Sequence, residues 1–154
     1  MNADREFSSF FSAVRFVPDE YRAEGANVGV VLLCPEQRRL KWRFTENHKR
    51  ARRLFPPSAL DLQRLRVMQA GLEEHMSANL HKLVSVEAFA SFAKSYRNQL
   101  QVTDPRSCVI VDFDSDFERL FVRLVADDST AERPFSKGLS LSQLRAFVNR
   151  RLHD

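Results

Sequence analysis

The chain has 154 residues, of which 44% are hydrophobic and 29% are charged, and its formal net charge is +4. This composition is typical of a folded globular protein and excludes a largely disordered chain, and the length suits one domain. No apolar run approaches the ~20 residues of a membrane-spanning helix, and the N-terminal sequence does not match a secretion signal. With Cys34 and Cys108 in apolar, strand-like contexts, the sequence predicts a cytoplasmic protein with buried, reduced thiols and no membrane contact.

Three strands are predicted in the first third of the chain. Residues 7–17 alternate with large apolar groups in both sets, and Pro18 ends this strand because proline lacks a backbone donor. Residues 28–34 form the most continuously apolar run, in which Gly29 indicates a close approach or a bulge. In the third strand, Leu40, Trp42 and Phe44 alternate with basic residues, which gives one apolar and one basic face. An antiparallel meander is the simplest assembly of the three.

Helices are predicted downstream, each after a serine that can cap its first turn, and these serines are Ser58, Ser85, Ser115 and Ser140. The first helix has an apolar stripe at spacings of three and four, made by Leu65, Met68, Leu72, Met76 and Leu80. Residues 100–113 are predicted to be extended, with a break at Pro105. The predicted fold is α+β, with an antiparallel sheet of three to five strands that starts with the N-terminal meander and carries three to four helices in a two-layer arrangement.

The predicted domain organisation is a single α+β domain over residues 1–126, followed by a polar linker and a C-terminal amphipathic helix over residues 127–154. The apolar face of that helix consists of Leu141, Leu144, Phe147 and Val148. Two alternatives stay open for this helix: it packs on its own domain, or it packs on a partner.

The sequence shows no catalytic or metal-binding motif. Four acids cluster late in the chain, at Asp112, Asp114, Asp116 and Glu118. A calcium loop beginning at Asp112 requires glycine and glutamate where Phe117 and Arg123 stand, so we interpret the acids as the start of a helix. Zinc spacings, phosphate-binding glycine loops and the nucleophile elbow are all absent from the sequence. The sequence therefore predicts no metal and no cofactor, and it favours a non-catalytic protein.

Positive charge is concentrated between residues 38 and 53, where eight basic residues stand against one acid. We predict a basic patch made of Arg39, Lys41, Arg43, Lys49, Arg50, Arg52 and Arg53. Such a patch fits contact with nucleic acid by counterion release, docking of an acidic protein surface, or a merely solvated face. Trp42 and Phe44 are predicted to point away from it, so the patch has no aromatic platforms for stacking bases.

A charged loop joins the first two strands and is the predicted site for a ligand or a partner. Its candidate residues are Arg15, Asp19, Arg22, Glu24 and Asn27. One interpretation is structural, in which an arginine–carboxylate pair locks the loop and Asn27 caps open backbone groups. The other is that Arg22, Glu24 and Asn27 line a pocket for a polar ligand or for a partner's chain.

Several segments together resemble a known bacterial family. They are RFVPD at 15–19, Arg22-x-Glu24, NVGVVL at 27–32, LQVTDP at 100–105 and DFERLF at 116–121. Over roughly residues 8 to 126 they are similar to family three thousand and thirty-seven of the domain-of-unknown-function series.

The resemblance implies a small intracellular bacterial domain with no assigned activity, whose relatives are often encoded beside Hip-like kinases of the persistence-toxin type. We therefore expect a non-catalytic interaction or accessory domain of the bacterial cytoplasm, with a Hip-like kinase as its candidate protein partner. The alternative is a nucleic-acid-binding protein that uses Arg38 to Arg53, and homo-oligomerisation stays open.

Overall fold

The structure is a computed structural model, and it describes residues 5–19, 21, 24–58 and 60–125. Arg22 of the predicted loop site and the predicted C-terminal unit, residues 127–154, lie outside the described residues. No helix in the described ranges is long and apolar enough to cross a bilayer.

Five strands of the described ranges form one antiparallel sheet. They are β1 (Phe7–Phe16), β2 (Ala26–Cys34), β3 (Arg39–Phe44), β4 (Leu100–Val102) and β5 (Arg106–Ile110). The order is β3-β2-β1-β4, and β5 also pairs with β1, so β4 and β5 follow each other along the same side of β1. Between them, residues 103–105 stand opposite only residues 12–13 of β1, which interrupts this edge. The predicted antiparallel sheet and its N-terminal meander are confirmed.

Five helices are described: α1 (Lys49–Leu54), α2 (Leu62–Ala78), α3 (Leu80–Leu83), α4 (Val86–Lys94) and α5 (Phe113–Leu124). Residues from α1 to α4 share one core with Val31 and Leu33 of β2, whereas α5 shares a second core with Val30 and Leu32. Successive residues of a strand point to opposite faces, so helices cover both faces of the sheet. The α+β class is confirmed, and the predicted two layers are replaced by three, because β2 is apolar on both faces.

The helix starts differ in part from the predicted ones. Ser85 caps α4 as predicted, because its hydroxyl accepts from the N–H of Ala88 at 3.3 Å. Asp61 caps α2 and Asp112 caps α5, in place of Ser58 and Ser115. Each aspartate accepts from the N–H three residues on, and a carboxylate is also favoured by the positive end of the helix dipole.

A bulge in β2 sets which residues of the predicted loop site face α5. Val14 pairs with Gly29, but Arg15 pairs with Asn27, so Val28 is an extra residue in β2. Val28 therefore turns into the core below α1 to α4, and Asn27 faces α5. Without the bulge these two side chains would exchange faces.

Both cysteines are buried and neither forms a disulfide, in agreement with the predicted buried thiols. Cys34 lies on β2 and Cys108 on β5, on opposite sides of β1. Two strand spacings are roughly 10 Å, which exceeds the reach of a disulfide.

Candidate functional site

The basic face of β3 packs against helix α5. Arg39, Lys41 and Arg43 pair in register with Cys34, Leu32 and Val30, whose side chains belong to the α5 core. Their cationic groups lie over three aromatic rings of α5, at 4.0 Å for Arg39 on Phe113, 4.8 Å for Lys41 on Phe117 and 4.2 Å for Arg43 on Phe121. These three cations are therefore part of the fold and not a bare surface.

The contact repeats regularly because two periods match. Alternate residues of a strand are about 6.6–6.8 Å apart, and every fourth residue of a helix is about 6 Å further along its axis. Basic residues at every second position of β3 therefore meet aromatic residues at every fourth position of α5. The two elements run in the same direction, since Arg39 meets Phe113 and Arg43 meets Phe121.

Acids of α5 complete this contact. Asp114 accepts from Arg39 at 3.1 Å and from Lys41 at 3.2 Å, and Glu118 accepts from Arg43. The hydrogen bonds from Lys41 and Arg39 hold the pKa of Asp114 below its usual value. The predicted acidic cluster thus serves the start of α5, as the sequence indicates, and also neutralises part of the predicted basic patch.

The second half of the basic patch lies on α1 and is arranged differently. Lys49, Arg52 and Arg53 are exposed, and Arg50 is half-buried. Arg50 donates from Nη1 to the carbonyl oxygen of Leu124 at 3.3 Å, next to the C-terminus of α5. The patch is therefore divided into a strand part, which packs on α5, and a helical part, of which Lys49, Arg52 and Arg53 are exposed.

The described residues of the predicted loop site are Arg15, Asp19, Glu24 and Asn27, and their local contacts differ. Asn27 donates from Nδ2 to the carbonyl oxygen of Leu124 at 3.1 Å, so it caps the end of α5. The carboxylate of Asp19 accepts from the N–H of Tyr21, which closes a local turn. Arg15 lies against Gly25, where an added Cβ would come within 2.8 Å of its Nη2. Glu24 is exposed.

A groove opens between α2 and the β4 side of the sheet, and we call it the β4-side groove. It consists of two adjoining cavities of about 630 and 700 Å³, which share Arg64, Met68 and Gln99. Phe16 and Pro18 of the RFVPD segment line one end, and the side chain of Gln99 donates to the carbonyl oxygen of Pro18 at 3.2 Å. The resemblance segment thus reaches a cavity, although through its apolar residues and not through its charged ones.

The wall of this groove contains a glycine in the middle of a helix. Gly71 belongs to α2, and apart from its chain neighbours and the backbone of its own helix, no described atom lies within 4 Å of the position that its Cβ would take. A glycine inside a helix is destabilising by about 0.5–1 kcal/mol relative to alanine. Since internal packing does not require Gly71, the open space above it belongs to the groove. Sequence reasoning missed this residue, because its position depends on how α2 is rotated.

The far end of the β4-side groove is polar and aromatic. His75 Nδ1 and the Tyr96 hydroxyl form a hydrogen bond of 2.9 Å, and both rings contact Phe92. Burial raises the pKa of the Tyr96 hydroxyl. Arg64, at the middle of the groove, makes no side-chain hydrogen bond or ion pair with any described residue. The groove therefore offers an apolar floor with separate donors along its walls.

Metal-binding side chains are not clustered in the described part of the chain, where no group of three or more such residues is found. The acids at the start of α5 instead accept hydrogen bonds from other groups of the protein. Asp116 is buried and accepts from the N–H groups of Val111 and Asp112, at 2.8 and 3.2 Å, and from Arg119 at 3.1 Å.

Comparison with known proteins gives a family for most of the chain. The model of the family described as protein of unknown function, DUF3037, matches residues 11–125. The chain belongs to this family. The match covers the whole sheet except the start of β1, all of the described helices and both walls of the β4-side groove. No curated protein and no solved structure matches this DUF3037 chain.

Proposed function

We propose that this DUF3037 chain is a non-catalytic interaction domain of the bacterial cytoplasm, and that it binds a partner protein in the β4-side groove. The observation that carries the proposal is Gly71, a helix-interior glycine that leaves a solvent-facing gap in the groove wall. A glycine without an internal packing role lets the backbone of a bound segment approach α2 closely. Grooves beside helices and sheet edges are common binding places for protein segments.

The lining of the groove supports a protein ligand. Phe16, Met68 and Leu100 supply apolar surface, while Arg64 and Gln99 supply donors above it. Together the two cavities exceed the usual ~300–1,000 Å³ of a small-molecule site, and they are open along their length. This arrangement suits an extended or helical segment better than a compact metabolite.

The partner to test first is a Hip-like kinase, which the family resemblance suggests. The full chain is co-expressed with the Hip-like kinase of its own host, and the retained kinase is measured after purification. We expect Gly71→Leu to lose the kinase, since its side chain fills the groove. The same change raises helix propensity by about 1 kcal/mol, so loss of binding would not reflect unfolding.

Ala70→Leu is the matched control for this experiment. Ala70 is exposed on α2 beside Gly71 and does not line the β4-side groove. We expect Ala70→Leu to retain the kinase as the unmodified chain does. If the unmodified chain does not retain the kinase, the kinase is excluded as the partner. If Gly71→Leu retains as much kinase as the unmodified chain, the β4-side groove is excluded as the binding site.

Nucleic-acid binding is the second candidate, and the exposed cations of α1 favour it. Lys49, Arg52 and Arg53 lie on one short helix whose first turn has no acid. Binding through phosphates weakens steeply as salt rises. A filter-binding titration with duplex DNA and single-stranded RNA at low ionic strength tests it. Salt-dependent affinity that Lys49→Glu and Arg52→Glu abolish is the expected result, and no binding at low salt removes this candidate.

A further inference from the structure

The outer edge of β3 has main-chain groups that no described strand pairs with. The N–H of Thr45 donates to the carbonyl of Val28, which continues the register between β3 and β2. Hydrogen-bonded positions alternate along an antiparallel strand. The odd-numbered residues of β3 therefore bond to β2, and the N–H and C=O groups of Leu40, Trp42 and Phe44 point outward.

A cavity of about 450 Å³ lies beside this edge, and we call it the β3-side cavity. Trp42 and Phe44 line it from the strand, while Arg66, Gln69 and Glu73 line it from α2. The helical period places these three residues on the flank of α2 opposite to Gly71 and the β4-side groove. The two openings are therefore separated by the width of the helix.

Gln69 adds an observation that points to a ligand. Its Oε1 atom is buried and accepts no hydrogen bond from the described residues. A buried acceptor without a donor costs free energy, and most such groups in proteins are satisfied. A main-chain N–H group that enters the β3-side cavity would satisfy it.

We propose that the outer edge of β3 receives an extended acidic segment of another protein as an additional strand. Its main chain pairs with the outward groups of Leu40, Trp42 and Phe44. Alternate side chains point to opposite faces, so one set enters the β3-side cavity and the other set lies beside Lys41 and Arg43. The fitting sequence alternates apolar and acidic residues. This proposal is independent of the β4-side groove, because the two use opposite flanks of α2.

The positive charge of β3 favours an acidic segment over a second copy of this chain as the strand that pairs with its outer edge. Arg39, Lys41 and Arg43 remain 44%, 40% and 48% exposed, and among the described residues Asp114 and Glu118 are the acids that pair with them. If β3 paired with β3 of another copy, these cations would stand directly opposite one another, which is unfavourable. Charged residues on an edge strand oppose self-association in this way and still admit a strand of opposite charge.

Trp42 makes the test direct, because it is the only tryptophan in the chain and it lies on β3. The full chain is titrated with the blocked peptide Glu-Val-Glu-Val-Glu-Val while Trp42 emission is recorded. We expect a saturable change, and an affinity roughly tenfold higher than for Glu-Glu-Glu-Val-Val-Val, which has the same composition without the alternation.

Methylation of peptide nitrogens separates strand pairing from simple charge attraction. Alternate N-methyl groups on one edge of the peptide should abolish the Trp42 response, and those on the other edge should leave it. In the protein, Arg66→Glu should weaken binding. Lys94→Glu is the matched control, because Lys94 is exposed on α4, lines neither opening and undergoes the same change of charge. No saturable response, equal affinity for the two peptides, or a response that neither methylation pattern changes would each overturn the proposal.

Discussion

Arg43 donates from Nη1 to both carboxylate oxygens of Glu118, at 2.9 and 3.0 Å, and thereby joins the edge strand β3 to helix α5. The two residues are 75 positions apart in the chain. The same guanidinium lies over the ring of Phe121, so one side chain combines an ion pair with an aromatic contact. Since both charged groups are about half exposed, we regard the pair as a device that aligns the two elements more than as a source of stability.

A double-mutant cycle with Arg43→Gln and Glu118→Gln measures this pair. We expect a coupling free energy of about 0.2–1 kcal/mol, because solvent screens half-exposed charges. Urea unfolding of the four proteins gives the value. A coupling near zero is compatible with screening, but one several times larger would show that the pair stabilises the fold directly.

Asp116 should matter far more to stability than its exposed neighbour Asp114. In Asp116→Ala, the N–H groups of Val111 and Asp112 lose their buried acceptor, and we expect a loss of about 2–3 kcal/mol. Urea unfolding measures the loss, and Asp116→Asn, which keeps one acceptor oxygen, should lose less. Asp114→Ala is the control, because Asp114 is exposed. Equal losses for the two alanine variants would contradict the role given to Asp116.

Lowering the pH should weaken the contact between β3 and α5, because Asp114 becomes protonated. Its pKa is lowered in the folded protein by Lys41 and Arg39, so the folded state favours the charged carboxylate. Because of this lowered pKa, Asp114 stabilises the folded state at pH values above the pKa of aspartate in the unfolded chain, which is about 3.9. This stabilisation is lost as the pH falls below that value. We expect the unfolding free energy of the unmodified chain to fall more steeply than that of Asp114→Asn between roughly pH 5 and pH 3. Parallel pH profiles in a urea series would exclude this contribution.

Two glycines should respond oppositely to the same substitution. Gly29→Ala places a methyl group 2.6 Å from Cδ1 of Phe44, and overpacking of this kind costs about 1–3 kcal/mol. In Gly71→Ala the new methyl group meets no described atom within 4 Å outside the neighbouring backbone of α2, so the change should stabilise the chain by about 0.5–1 kcal/mol. Thermal and urea unfolding of both variants test the pair. A loss of stability in Gly71→Ala would show that α2 requires this glycine for its own packing.

Local patterns predicted most of the secondary structure. The alternation of Leu40, Trp42 and Phe44 with basic residues identified β3, and the break at Pro105 separated β4 from β5. The predicted caps Ser58 and Ser115 were wrong, because Asp61 and Asp112 are equally good caps and directly precede the first residues of α2 and α5. The short helices α1 and α3 have too few residues to show an apolar period, so they were missed.

Long-range contacts could not be predicted from the local sequence patterns. The acids of α5 and the cations of β3 were each visible, but their pairing depends on α5 crossing the same sheet face as the basic side of β3. The bulge at Val28 was indicated only by Gly29, and it decides that Asn27 caps α5 instead of facing the other core. The β4-side groove depends on the rotation of α2, which the apolar stripe fixes only approximately.

The interrupted edge formed by β4 and β5 limits how this molecule can assemble. Fibrils that grow by strand pairing need two continuous edges on each subunit, one to accept a strand and one to offer. In the described residues only β3 provides an uninterrupted edge, since the opposite side is broken at residues 103–105. A strand added at β3 therefore ends growth at this molecule, which makes the domain a terminus for strand exchange and not a link in a polymer.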